Sequence, residues 1–357
     1  MREINDGIIR IALNALYFSG VHHLMAPKTA GLGVIFMLHR VRPAPGHDTF
    51  APNRALEVTP EFLDAVLTRL QRRGIEVIDM DGVADRIHGG TGPRFAAFTF
   101  DDGYADNLDV ALPIFETHNA PLTIYIATGM IEGTADVWWL ILEEAIKRLD
   151  AVRTMIGGRH FDVPARNAAE KQAAWDAIYW PLRDLSVAER RATVTALGCT
   201  AGVTQSSCFE GLVPGWEQLR RAAQHRLVRF GAHTIDHYPL STLTTDDARR
   251  EIAEGRRLLE EKLGREVTHF AYPFGDPGSA GPREFALARE SGFSTAVTTR
   301  RGVLFPDHGT HLHALPRVSL NGSYQAMRYV DLFLSGAPFA VFNRGQRLNV
   351  ASGGRGS

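Results

Sequence analysis

The chain has 357 residues, 45% of them hydrophobic and 22% charged, which is the balance of a globular protein of one large or two ordinary domains. That composition excludes a wholly disordered chain, a collagen-like fibre and a disulfide scaffold; the two cysteines, Cys199 and Cys208, read as free thiols. Lys and Arg number 39 against 40 Asp and Glu, so no basic surplus marks a nucleic-acid binder and no such partner is expected.

Residues 8–25 look apolar, but Arg10, Asn14, His22 and His23 interrupt them. The longest clean run, 11–21, is too short to span a bilayer. Glu3 and Asp6 stand where a signal peptide would carry positive charge, and no cleavage pattern follows. Residues 1–30 are therefore expected to hold an N-terminal amphipathic helix. It packs on its own domain, or rests weakly on a membrane surface through residues 1–25. The expected location is cytoplasmic, with peripheral attachment to the inner membrane as the variant of that reading.

Residues 34–38 form a short, fully apolar run, the pattern of a strand buried on both faces. A helix follows, capped by Thr59, opened by Pro60 and striped with Phe62, Val66, Leu67 and Leu70. Strands are read at 75–78, 95–100, 123–126, 227–230, 267–271 and 294–297, with helices at 81–88 and 246–263. Repeated strand–helix units argue for a parallel α/β architecture, as a barrel or an open doubly wound sheet. Residues from about 130 to 225 break the rhythm: they hold all five tryptophans, Trp138, Trp139, Trp175, Trp180 and Trp216, in mostly helical patterns. They read as a helical insertion within one domain spanning 31–335, and residues 345–357 read as a flexible tail.

Four segments carry candidate chemistry. Thr99-Phe100-Asp101-Asp102-Gly103 closes an apolar strand, where parallel α/β folds build their sites. Adjacent side chains on an extended chain diverge, so one carboxylate can bind a metal while its neighbour faces a reactant. The same residues also suit an ordinary Asx turn. His233 and His237 follow another strand at a spacing that, on a helical turn, lets both chelate one ion. Phe270-Ala271-Tyr272-Pro273-Phe274-Gly275 ends a third strand in a loop able to present a backbone N–H. The stretch 311–317 offers His311, His313 and Arg317, and His39 follows the first strand.

In order and spacing, 99–103 and 233–237 resemble the polysaccharide deacetylases that share the chitooligosaccharide deacetylase (NodB) homology domain, carbohydrate esterase family 4. The resemblance covers about residues 30–330 and implies a distorted (β/α) barrel with the Trp-rich segment inserted. It implies Asp101 as catalytic base, and Asp102, His233 and His237 as ligands of a divalent metal, zinc in the first place, with cobalt, nickel or manganese also compatible. The Phe274 N–H is placed at the oxyanion, with Tyr272 and Tyr104 as aromatic platforms for sugar. Two departures stand out. The family carries an arginine where Ala271 stands, and Arg317 is the candidate to supply that charge from another strand. The Leu-x-His motif of the general acid has no clean match, and His313 is the nearest candidate.

The implied activity is metal-dependent removal of N-acetyl groups from an amino-sugar oligomer or polysaccharide, releasing acetate. The alternatives are a related amide hydrolase and a degenerate carbohydrate-binding protein of polysaccharide assembly.

Overall fold

The structure, a computed structural model, describes residues 2–350 apart from 45, 47, 48 and 91. The apolar segments become parallel strands: β1 Gly33–Leu38, β2 Glu76–Ile78, β3 Phe95–Phe100, β4 Leu122–Ile126, β5 Val228–Ala232, β6 His269–Ala271, β7 Thr295–Arg301 and β8 Leu315–Ser319. They hydrogen-bond in the order β1-β8-β7-β6-β5-β4-β3-β2. In addition β1 pairs along its whole length with β3, from Gly33 opposite Phe95 to Leu38 opposite Phe100. That ladder closes a seven-strand parallel barrel and removes the open sheet as an alternative. The other edge of β3 is shared. β2 takes its first half, Glu76 opposite Phe95, and β4 its end, Thr99 opposite Thr123. The residues that follow β3 thus emerge between β1 and β4, inside the mouth.

Strand alternation decides which side chains enter the barrel. Ile35, Phe95, Ala97, Ala271, Val297 and Leu315 belong to the interior cluster. Val34, Phe36, Phe98, Phe230, Phe270, Tyr272 and Val318 face the surrounding helices. Counting by twos from the interior set brings His39, Thr99, Asp101 and Arg317 inward at the C-terminal half of their strands. The sequence reading put Arg317 on another strand without bounds, because Pro316 and Arg317 are poor marks of a buried strand; that strand is β8.

Between β4 and β5 the chain leaves the barrel through helices Trp138–Arg148, Ala168–Arg183 and Val187–Ala201. This segment is not only helical. Ala151–Ile156 and Arg159–Pro164 pair antiparallel around Gly157 and Gly158, whose φ values of 55° and 76° fit a tight hairpin turn. The charges of an exposed ribbon (Arg153, Arg159, Asp162) hid it in the sequence. Trp138, Trp139, Leu142, Trp175 and Ile178 form a core separate from that of the barrel, joined by Phe50 and Tyr104. Trp216 packs instead on the barrel cluster, and its indole N–H donates to Glu132 at 2.7 Å.

The single N-terminal helix expected is two, Arg2–Phe18 and Val21–Thr29, broken at Gly20. Leu13 is buried, and Asn14 accepts from Arg328 at 2.9 Å, tying the first helix to Met327–Ser335. Thr29 Oγ1 donates to the Ser335 carbonyl at 2.7 Å. Of the stretch read as a tail from 345, Arg347 lies 3.7 Å from Asp307 and the Asn349 carbonyl accepts from Arg300 at 2.8 Å; residues 351–357 lie outside the described ones.

Candidate metal centre at the barrel mouth

Asp101 continues the inward series of β3, and its N–H donates to the Leu38 carbonyl at 3.0 Å, extending the ladder with β1 by one rung. Arg317, from β8, meets it inside the barrel. Nη1 and Nη2 donate to the two carboxylate oxygens at 2.7 Å each, a bidentate pair with both residues almost wholly buried. The guanidinium is itself held: Nε donates to the Thr298 carbonyl at 2.9 Å and Nη1 to Thr99 Oγ1 at 3.1 Å. Burial alone would raise the Asp101 carboxyl, but the charges of Arg317 and His233 outweigh it and hold it below the ordinary carboxylate value. Ala271 faces the same interior, so Arg317 reaches the carboxylate from two strands away.

Asp102 turns away from its neighbour because its backbone is left-handed, φ 74°. Its Oδ1 lies 3.4 Å from His233 Nε2 and 3.2 Å from His237 Nε2, yet is buried and accepts no hydrogen bond. Burial opposes its ionisation, but the two imidazoles keep it well below the ordinary value. His233 Nδ1 is 2.7 Å from the Ala271 carbonyl, so that nitrogen carries the proton and Nε2 presents its lone pair. Among the described residues this is the single group of three His, Cys, Asp or Glu whose ligand atoms gather, all within 4.8 Å. Two ligands about 2.1 Å from a tetrahedral ion stand about 3.4 Å apart, so the donor set fits a divalent cation.

The histidine pair does not sit on a helical turn as expected. Residues 233–237 form a bend with left-handed φ at Thr234 (68°) and His237 (59°). Among the described residues, four of the six non-glycine residues with positive φ, Asp102, Thr234, His237 and Phe274, lie at this mouth, where the surrounding contacts must hold the strain. Thr234 Oγ1 accepts from the His237 N–H at 3.1 Å. Glu251, buried in the helix Thr245–Leu263, accepts from the N–H groups of Ile235 and Asp236 at 3.0 and 2.9 Å. Burial pushes its carboxyl up, against those two N–H donors. Gly255, one turn further, lets the helix approach the loop: a Cβ there would stand 2.9 Å from the Thr234 carbonyl carbon. The sequence reading missed Glu251, since one acid among the many charges of that helix carries no signal.

Of the other predicted residues, Tyr104 lies buried beside Asp102, with the Arg40 guanidinium 4.7 Å from its ring centre. The ring of Phe274, φ 60°, is 5.1 Å from that of His237, and Trp139 of the insertion stands 5.1 Å from the same imidazole. Arg183, also from the insertion, lies over Phe274 at 5.0 Å and pairs with Asp276 at 2.7 Å.

Two expectations are corrected. Tyr272 is fully buried, faces outward among Phe270 and Phe285, and donates its hydroxyl to the His313 carbonyl at 2.9 Å, so it presents no face to a sugar. His313 precedes β8 at the N-terminal end of the barrel, where its Nε2 bonds the Phe293 carbonyl at 2.7 Å. It cannot protonate a leaving group at the opposite end. His39 does face the mouth. Burial lowers its imidazole below the ordinary value, and the charges of Asp102 and Asp101 offset this only in part. Asn107, buried, donates to its carbonyl at 2.7 Å and fixes the turn after β1.

The fold and site together define a parallel-barrel protein with a cation-ready His/His/Asp cluster at its mouth. The polysaccharide deacetylase family profile matches residues 88–293, more than half of the chain, and the chain belongs to that family. The match holds Asp101, Asp102, His233, His237 and Phe274 but neither His39 nor Arg317. A curated Bacillus subtilis (strain 168) relative, the polysaccharide deacetylase YxkH, is 30% identical over 105 residues, which is 29% of this chain and 36% of that protein. The chain thus matches about a third of that relative's length. Among solved structures, the Streptococcus pyogenes deacetylase PplD in complex with acetate superposes with a TM-score of 0.56 at 16% identity, covering 84% of this chain and 97% of that one. IcaB from Ammonifex degensii gives 0.54 at 18%, covering 85% and 97%. At these identities the two share the fold.

Proposed function

We propose that this protein is a metal-dependent hydrolase that removes N-acetyl groups from an N-acetylated amino-sugar oligomer or polysaccharide and releases acetate. The observation that carries the reading is the junction of Asp101, clamped by Arg317, with the His233, His237 and Asp102 donor set. A divalent ion bound there, zinc in the first place, supplies an acidified water and polarises the acetyl carbonyl. Asp101, held ionised by Arg317, takes the proton of the attacking water as general base. The Phe274 N–H, fixed in a left-handed turn, is offered to the developing oxyanion. His39 replaces His313 as the group that protonates the departing amine. Trp139, whose ring stands against His237, supplies the aromatic wall, and Arg183 closes the rim over Phe274.

The test is acetate release from N-acetylglucosamine oligomers by zinc-loaded protein, with Asp101→Asn alongside. Release that disappears in the variant supports both activity and base. Stoichiometric metal without release points to another N-acylated substrate. Neither metal nor release overturns the enzymatic reading.

A further inference from the structure

The helices at the N-terminus have apolar residues on two faces. In Arg2–Phe18, Leu13 is buried and Ile9, Leu16 and Tyr17 pack against the barrel cluster. The opposite stripe, Ile8, Ile11, Ala12, Ala15 and Phe18, repeats at three- and four-residue steps and faces solvent. Ile11 is 71% exposed, Phe18 76% and, in Val21–Thr29, Leu24 82%. Val21 extends this surface, as do Val341 and Phe342 of Ala337–Phe342, a helix that packs beside Val21–Thr29. Seven of the eight large hydrophobic residues exposed among those described lie on these three helices. No helix among the described residues is long and apolar enough to cross a membrane.

Charge identifies what this surface fits. In sequence the three helices and the segment 343–350 carry Arg2, Arg10, Lys28, Arg344 and Arg347 against Glu3 and Asp6, so the surface is net positive even though Arg347 lies 3.7 Å from Asp307. A second copy docking about a two-fold axis would set two surfaces of net positive charge against each other. A bilayer with anionic headgroups offers both halves of the complement, phosphates for the cations and acyl chains for the apolar stripe. We propose that these three helices form an interfacial docking surface for an anionic phospholipid bilayer. The helices lie along the surface without spanning it. They enter the barrel through residues 30–32 at the N-terminal end of β1, so docking leaves the opposite mouth clear. The inference stands independently of the deacetylation reading.

Co-sedimentation of the full chain with phosphatidylcholine vesicles, with and without phosphatidylglycerol, tests it. Binding to the anionic vesicles is expected at low salt, weakened by salt, and reduced about tenfold or more in Ile11→Glu/Leu24→Glu. Both positions are solvent-exposed, so the variant should keep the parent's circular dichroism and melting temperature. Absence of binding to anionic vesicles, or equal binding by parent and variant, overturns the proposal. A dimer in sedimentation velocity that the same variant dissolves also overturns it and assigns the face to a second copy.

Discussion

The barrel mouth and the N-terminal helical face break the usual placement of side chains in opposite senses. At the mouth, Asp101, Asp102, His233 and Arg317 are almost fully buried. On the helices, Ile11, Phe18 and Leu24 are largely exposed. Burying charge and exposing apolar area both cost stability, so each region keeps an arrangement that folding alone does not favour. The mouth can be read further, because its groups compensate one another in closed geometry. The helical face has no such partner among the described residues.

Substitutions separate the two regions. At the mouth, Asp102→Ala should abolish stoichiometric metal binding, measured by metal analysis after dialysis, and acetate release with it. Asp101→Asn should keep the metal and lower turnover about 10³-fold or more. If both variants behave alike, the division of labour between the adjacent carboxylates is wrong. Arg317→Met leaves Asp101 as an unpaired buried charge and should cost about 3–5 kcal/mol in urea unfolding, whereas a loss within experimental error would break the clamp. His39→Ala should slow turnover about 10²-fold, and His313→Ala less than about twofold; the reverse order would restore His313. Glu251→Ala should weaken metal affinity about tenfold or more by loosening the 233–237 loop, while Glu251→Gln, which keeps an acceptor oxygen, should lose less. None of the helical-face substitutions should alter acetate release from a soluble oligomer.

The smallest effect lies at the barrel's N-terminal end. Hydrogen bonds from His269 first, and then Arg229, hold the Asp81 carboxyl at about 2, below its ordinary 3.8, against partial burial. Its stabilising contribution is complete above about pH 4 and is lost as the pH falls toward 2. Asp81→Asn should remove that part of the acid-side slope of thermal stability, by less than about 1 kcal/mol because the carboxylate is half exposed.

The strands of the barrel were legible because residues 34–38 and 95–100 bury both faces and leave uninterrupted apolar runs. The clustering of Asp102 with His233 and His237 followed from motif order. The link between Asp101 and Arg317 was readable only as a resemblance with one residue out of place. Resolving it needed the strand order, which places β8 two strands from β6, and the alternation that turns Leu315 and Arg317 inward. His313 misled because it lies just before β8, four residues ahead of Arg317, at the end of that strand away from the mouth. Glu251 left no trace, since its role is made by backbone N–H groups that sequence does not distinguish.

The insertion holds its own core around Trp138, Trp175 and Ile178, and meets the mouth through Trp139 against His237 and Arg183 against Phe274 and Asp276. In hydrogen-exchange terms the insertion, with a core of its own, is expected to open as a cooperative unit separate from the barrel. Amides of Trp138–Arg148 and Ala168–Arg183 should exchange together through an opening that leaves β1 and β3 protected. Such an opening would expose Trp139 and Arg183 at one side of the mouth while the Asp101–Arg317 clamp, held on β3 and β8, stays in place.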